Sequence, residues 1–100
     1  MNSSRVKGFN YEREVVNRSK DEGLPARRMW GSDGRSAGYS KDTDLIIAGQ
    51  KFQAKRKKTA PKWTRITKDI DGVVFREDNG VSRVIIGLNE YLVLLKRSVT

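Results

Sequence analysis

Apolar residues recur at helical spacing early in the chain and in short alternating runs further along. The first periodic segment predicts a helix from about Phe9 to Lys20, which Gly23 and Pro25 are expected to end. Two runs around Gly49-Gln50 predict a β-hairpin with strands at 44–48 and 51–56. The other predicted elements are strands at 27–30, 73–76 and 82–88, a weak helix at 63–70, and a last helix at 90–96 capped by Asn89.

The predicted hairpin brings polar side chains together on one face. With a turn at Gly49-Gln50, Asp44 pairs with Lys55 and Ile46 with Gln53, and directly paired residues share a face. Asp44, Gln53 and Lys55 therefore converge, either as a chemical site or as an Asp44–Lys55 ion pair on a solvated edge. The opposite face is wholly apolar and consists of Leu45, Ile47, Phe52 and Ala54.

One carboxylate interrupts the apolar side of the first predicted helix. Val15, Val16 and Phe9 fall on one side, Glu12 lies within their arc, and Glu14 lies on the opposite side. A carboxylate among apolar side chains is unfavourable unless a cation pairs with it, so a metal ion or a buried lysine is expected beside Glu12. If the apolar stripe is narrow, Glu12 instead lies at its rim.

Composition and charge narrow the partners and the chemistry. Lys and Arg number 21 against 12 Asp and Glu, and the net charge of +9 favours a polyanion, with solubility alone as the plain alternative. The absence of Cys and His excludes thiolate and imidazole chemistry and leaves Mg²⁺ or Mn²⁺ on oxygen ligands. No apolar run approaches the ~20 residues of a membrane span, and the N-terminus lacks a signal-peptide core. We therefore expect one cytoplasmic domain over residues 1–100, without membrane contact.

The combined groups suit phosphodiester hydrolysis. Oxygen atoms of Glu12, Asp44 and Gln53 would hold a divalent metal ion, which polarises phosphate and lowers the pKa of a bound water. The Lys55 ammonium would orient or deprotonate that water, or stabilise the developing charge.

These residues resemble the archaeal-type Holliday junction resolvases of the PD-(D/E)xK nuclease superfamily. The resemblance covers roughly residues 5 to 58 and rests on the ordered segments KGFNYERE (7–14), GS (31–32), DLIIA (44–48) and QAK (53–55). It implies an α/β fold with a restriction-endonuclease-like core, in which helices flank a central mixed β-sheet. It also implies a Mg²⁺-dependent homodimer that cuts branched DNA.

The resemblance assigns roles to individual residues. Glu12 matches the helix glutamate of the family, Asp44 its metal-binding aspartate, Lys55 its catalytic lysine, and Ser32 the loop serine near the scissile phosphate. Gln53 stands where these resolvases carry Glu, a Q-x-K form that Mrr-like and VRR-type nucleases share. A neutral amide is a weaker Mg²⁺ ligand, and Asp42 is a further carboxylate nearby.

Seven basic side chains are expected to contact a DNA backbone near the site, because each neutralised phosphate adds salt-dependent affinity. They are Lys7, Arg27, Arg28, Arg35, Arg56, Lys57 and Lys58. The alternative is a solvated charged face. The glycine-rich loop 31–38 either orders on DNA or serves as a linker, and Trp30 and Trp63 either stack on bases or pack against protein.

Four functions stay open on these grounds. The leading hypothesis is a structure-selective endonuclease that resolves four-way junctions. The others are a nuclease of the same superfamily for duplex ends, nicks or foreign DNA, a DNA-binding module with a decayed site, and a basic structural protein that prefers RNA.

Overall fold

The structure, a computed structural model, describes residues 3–29 and 42–99. In these ranges the chain forms two helices, α1 (Ser3–Asp21) and α2 (Leu88–Val99), and one 3-10 turn at Lys62–Thr64. Mixed helix and strand content was predicted and is confirmed. The five strands are β1 (Ala26–Arg28), β2 (Leu45–Ile47), β3 (Gln50–Phe52), β4 (Gly72–Phe75) and β5 (Arg83–Ile86).

The strands form two separate sheets. The first has the order β1-β2-β3 and the second pairs β4 with β5. Every pair among the described strands is antiparallel, so they do not form the single mixed sheet that was expected, which needs a parallel pair as well. A restriction-endonuclease-like core therefore stays a prediction.

Helix α1 starts earlier than predicted and ends where Gly23 was expected to end it. Gly23 has a φ of 83°, in the left-handed region that favours glycine. The amide of Gly23 donates to Lys20 O at 2.9 Å and the amide of Leu24 donates to Ser19 O at 3.0 Å. These two bonds make a Schellman cap, and Pro25 directly after it prevents continuation of the helix.

The β2–β3 hairpin forms in a different register from the predicted one. Leu45 pairs with Phe52 rather than Ala54, and the turn is Ala48-Gly49 rather than Gly49-Gln50. Ala48 has a φ of 48° and Gly49 a φ of 82°, the positive values that a type I′ turn requires at both positions. Because the partner strand is displaced by two residues and not one, every side chain keeps its predicted face.

The core lies between α1, the first sheet and α2. Phe52 and Ala54 pack against it, which confirms the predicted apolar face of the hairpin. On α2, the Tyr91 ring meets Phe52 edge to face at 5.8 Å between centroids, and its hydroxyl donates to Gln50 Oε1. Helix α2 thus covers the hairpin. The buried core residues are Val15, Val16, Leu24, Leu45, Ile47, Leu92 and Leu95.

The helix predicted over 63–70 is wrong. Only Lys62–Thr64 turns, as a single 3-10 turn in which Thr64 Oγ1 donates to Pro61 O at 2.6 Å. This local bond competes with helical bonding, and the β-branched residues Ile66 and Thr67 disfavour continuation. The strands predicted at 73–76 and 82–88 do form, as β4 and β5, with shorter bounds at the second.

Helix α2 extends beyond its predicted bounds at both ends. Its first turn is closed by the Tyr91 amide, which donates to Gly87 O at 3.0 Å, so Asn89 lies inside the helix and does not cap it. The Asn89 Oδ1 instead accepts a hydrogen bond from Arg18 Nη2 at 2.8 Å, which joins α2 to α1. Neither helix in the described ranges combines the length and apolarity needed to cross a bilayer.

Candidate functional site

Glu12 lies on the inner side of α1, as the helical pattern predicted. Its Oε1 is 3.3 Å from Nε of Arg28 on β1, and both side chains are only 13% exposed. Glu14 lies on the outer side, where its side chain is 55% exposed and pairs with Arg18. The expectation of a paired, inward carboxylate is confirmed and the alternative at a solvated rim is wrong. The partner is an arginine rather than the metal ion or lysine that was expected.

Arg28 was expected to contact DNA, and it is already engaged within the protein. Besides the bond to Glu12, its guanidinium lies over the Phe9 ring, 5.0 Å from the centroid. The carboxylate and the ring face both stabilise the cation where it is. A phosphate contact by Arg28 would therefore require it to leave Glu12.

Asp44 lies between the outer strands of the first sheet, just before β2. Its amide donates to Phe52 O and its carbonyl accepts from the Met29 amide, both at 2.9 Å. Its side-chain Oδ2 accepts a hydrogen bond from the Ala54 amide at 2.8 Å. The carboxylate thus continues the β2–β3 pairing beyond Phe52, and this bond holds the side chain in one position.

The two carboxylates are close enough to interact electrostatically. Burial raises the pKa of Glu12 above its ordinary value of 4.5, the Arg28 hydrogen bond opposes this, and the charge of Asp44 raises the pKa further. With both acids ionised, the negative charges of Glu12 and Asp44 repel each other. A bound cation would relieve this excess of negative charge.

The predicted convergence of Gln53 and Lys55 on Asp44 stays a prediction. Both are exposed and line a cavity of about 230 Å³ together with Tyr11 and Leu88. In the described part of the chain, neither side chain makes a hydrogen bond or ion pair with Asp44 or Glu12. The two-residue displacement of the register carries Lys55 past the position opposite Asp44, so the alternative of an Asp44–Lys55 ion pair is wrong.

The acids of the described residues do not form a complete cage of metal ligands. Among residues 3–29 and 42–99, no three Asp, Glu, His or Cys side chains gather as a ready cation site. Mg²⁺ in nucleotide and nucleic-acid enzymes often takes only one or two carboxylates, with waters and substrate phosphate oxygens as the other ligands. Glu12 and Asp44 could serve as such a pair, while a ligand role for Gln53 stays a prediction.

A basic groove runs beside the acidic pair. It has a volume of about 400 Å³, and its lining residues are Lys7, Gly8, Ala54, Lys55, Arg56, Lys57 and Lys58. Lys7 and Gly8 come from α1, and the other five follow β3. Nothing lies within 4 Å of a Cβ built on Gly8, so this wall of the groove is open. Ala54 belongs to both features, since its amide holds Asp44 while the residue lines the groove.

Of the remaining residues predicted to lie at the site, the structure describes only Arg27. Arg27 is exposed on β1 opposite Ile46 and is not one of the residues that line the groove. Ser32, Arg35, Trp30 and the loop 31–38 lie outside the described residues. Sequence reasoning missed the Ala54 amide as the partner of Asp44, because a backbone donor leaves no signal in residue identity.

Comparison with known proteins identified no relative. No protein-family model, curated protein or solved structure matches this chain.

Proposed function

We propose that this chain is a Mg²⁺-dependent DNA endonuclease that hydrolyses phosphodiesters in branched DNA, with four-way junctions as the leading substrate. One observation carries the proposal. The carboxylate of Asp44, beside Glu12, is held by the amide of a residue that lines the basic groove. Acidic metal ligands directly beside a phosphate-binding groove are the arrangement that phosphodiester hydrolysis requires.

The groove would bind the DNA backbone. Its five cations lie along one wall and one turn of α1, so a strand passing through it meets positive charge on two sides. Neutralising five phosphates gives a slope of roughly −4 in a plot of log affinity against log salt. These contacts position the strand and read no sequence.

The acidic pair would bind the metal. Glu12 and Asp44 would hold it, and the ion would supply Lewis-acid polarisation of a phosphate oxygen and a lowered pKa for a water molecule. Arg28 would then turn from Glu12 to a substrate phosphate, which adds a cation to the backbone contacts. Lys55, in the wall of the groove, would supply the ammonium that stabilises the developing negative charge.

The finer parts of the proposal rest on the resemblance to the resolvases. These parts are the junction substrate, the homodimer with two opposed cuts, and the serine at position 32. Gln53 favours weaker metal affinity than a carboxylate at that position would give.

The test is cleavage of three labelled DNAs, a four-way junction, a plain duplex and a single strand, each with Mg²⁺ or Mn²⁺. We expect paired, symmetric cuts in the junction, and a loss of at least 100-fold in rate in Asp44→Asn, because a metal ligand is lost. Asp71→Asn is the matched control, since Asp71 is an exposed aspartate just before β4. Cleavage of the duplex or single strand alone would retain the nuclease and discard the resolvase. Equal activity of Asp44→Asn and wild type would overturn the assigned site.

A second candidate is a DNA-binding module without catalysis, which the Glu12–Arg28 ion pair favours. An arginine that occupies the carboxylate takes the place a metal ion would need. This candidate predicts tight, strongly salt-dependent DNA binding with no cleavage under either metal. Absence of cleavage in Arg28→Gln as well would support it.

A further inference from the structure

An aromatic pair lies exposed next to the second sheet. The rings of Trp63 and Phe75 stack with centroids 4.3 Å apart and planes at 30°. Phe75 covers one face of the indole, and Trp63 still remains 48% exposed. The face of the indole away from Phe75 is therefore available for a ligand.

The backbone around Trp63 is held in place. The Thr64 amide and hydroxyl both donate to Pro61 O, at 3.0 and 2.6 Å, and the Arg65 amide donates to Lys62 O at 3.1 Å. With Phe75 supporting the ring from β4, the indole is oriented before any ligand arrives. A ligand that stacks on it therefore meets a preformed surface.

Three cations lie near this aromatic pair in the chain or across the sheet. Lys62 and Arg65 flank Trp63 in the chain, and Arg83 pairs with Phe75 across the sheet, on the same face. A flat aromatic surface with cations beside it suits a nucleobase and its phosphate. Four carboxylates lie in or just before the β4–β5 hairpin, so stacking and not charge must supply most of the affinity there. They are those of Asp69, Asp71, Glu77 and Asp78.

The aromatic pair is within reach of the basic groove. Lys58, at the end of the groove, precedes Trp63 by five residues, which span at most about 18 Å. That distance equals roughly five base steps of 3.4 Å. A strand bound in the groove can therefore place a base on Trp63 within about five nucleotides of the groove.

We propose that Trp63, supported by Phe75, stacks on an unpaired base of a single nucleic-acid strand whose backbone lies in the basic groove. Bases within a duplex are stacked on their neighbours and leave no face free for the indole. This stacking platform, formed by Trp63 and Phe75, therefore selects single-stranded segments. The proposal rests on the nucleic-acid binding proposed above and is independent of cleavage.

The first test uses the fluorescence of Trp63. Trp30→Phe leaves Trp63 as the sole tryptophan of the chain. This variant is titrated with oligothymidylate, oligouridylate and a DNA duplex, without divalent metal. We expect quenching by the single strands and little by the duplex, and comparison of the two oligonucleotides separates DNA from RNA. Binding of single strands by anisotropy without any quenching would overturn the proposal.

The second test separates stacking from charge. Trp63→Leu should weaken single-strand binding about tenfold and leave the salt slope unchanged, while Trp63→Phe retains most of the affinity. Ile66→Ala is the matched control, an exposed apolar residue nearby without a π-face. Lys57→Gln should instead reduce the salt slope by about one. Circular dichroism checks that each variant is folded.

The outcomes distinguish this proposal from the proposed function. If Trp63→Leu binds single strands as tightly as wild type while Lys57→Gln still lowers the salt slope, base stacking on Trp63 is wrong and backbone binding in the groove is supported. Failure of the wild type to bind any nucleic acid overturns both. If sedimentation gives a dimer that Trp63→Leu dissociates without affecting DNA affinity, a second copy covers the ring and the platform is wrong.

Discussion

The two sheets of this protein share their pairing and differ in what covers them. In the first sheet the whole of β2 is buried, with Leu45 and Ile47 each 1% exposed. In the second sheet, Val74 and Val84 lie directly opposite each other and are 79% and 62% exposed. Helices α1 and α2 pack on the first sheet and leave this valine pair of the second uncovered. An apolar strand pattern thus predicts strands, while burial depends on the elements packed against them.

The difference in coverage between the two sheets corresponds to a difference in their proposed functions. The first sheet holds Asp44 and Arg28 in defined positions through packing and hydrogen bonds. The second presents Trp63 to solvent on a supporting ring. The proposed chemistry therefore belongs to the covered sheet and the proposed base stacking to the open one.

The largest expected contrast is in the free energy of unfolding after truncation of an apolar strand residue. Leu45→Ala should lower it by about 3 kcal/mol, since a buried side chain is lost and a cavity remains. Val84→Ala should change it by less than about 0.5 kcal/mol, because the side chain is exposed. Urea denaturation followed by circular dichroism measures both. Similar losses in the two variants would mean that the second sheet is covered in solution, for example by a second copy.

A strand arginine gives the next contrast. Arg28→Gln leaves Glu12 buried beside Asp44 without its partner, and should lower the free energy of unfolding by about 2 kcal/mol. Arg83→Gln, at the exposed position on β5, should stay within about 0.5 kcal/mol of wild type. Adding Glu12→Gln to Arg28→Gln should recover part of the loss, because no charge is then left buried. A larger loss in Arg83→Gln than in Arg28→Gln would contradict the assignment.

The two hairpin turns should respond in opposite directions. Ala48, with a φ of 48°, lies in a region that alanine tolerates poorly, while Asn79 in the second hairpin has a φ of 62° and suits it. Ala48→Asn should therefore raise the free energy of unfolding by about 0.5–1 kcal/mol, and Asn79→Ala should lower it by a similar amount. Thermal denaturation of both variants checks this. A loss of stability in Ala48→Asn would contradict the turn geometry.

The smallest expected effect is a change in the pH dependence of stability. The pKa of Glu12 is raised in the folded protein, so folding favours its protonated form. The stability this contributes is fully present below the ordinary pKa of 4.5 and is lost as pH rises through the raised folded value. Urea denaturation across that window should give a shallower decline in Glu12→Gln than in wild type. Glu77→Gln, in the second hairpin, leaves the buried carboxylate in place and should keep the wild-type slope.

The faces of the first hairpin were predictable and its register was not. Alternation along 44–48 and 51–56 assigns each side chain to a face, and the burial of Leu45, Ile47 and Phe52 follows from it. Gly49 fits the first central position of a Gly49-Gln50 turn and the second central position of an Ala48-Gly49 turn. The sequence therefore did not distinguish between these two turns. The predicted pairing of Asp44 with Lys55 and of Ile46 with Gln53 depended on that choice and is wrong, while the convergence of Gln53 and Lys55 on Asp44 stays a prediction.

The partners of the site residues depended on packing between distant segments. Helical spacing predicted that Glu12 points inward, yet nothing local distinguished Arg28 from Arg27 as its partner. The basic groove joins Lys7 to residues 55–58, and this proximity follows from the packing of α1 against the first sheet. The stacking of Trp63 on Phe75 likewise depends on a turn that the sequence pattern suggested as a helix.

The hydrogen bond between the Ala54 amide and Asp44 Oδ2 affects the entropy of ligand binding. An aspartate on a mobile surface loses rotational freedom when a ligand captures it, and this loss weakens the affinity. In this protein that freedom is already lost when the chain folds, because the carboxylate completes the strand pairing. Any cation or polar group that meets Asp44 therefore binds an acceptor that is already immobile, and the ordering penalty belongs to folding and not to recognition.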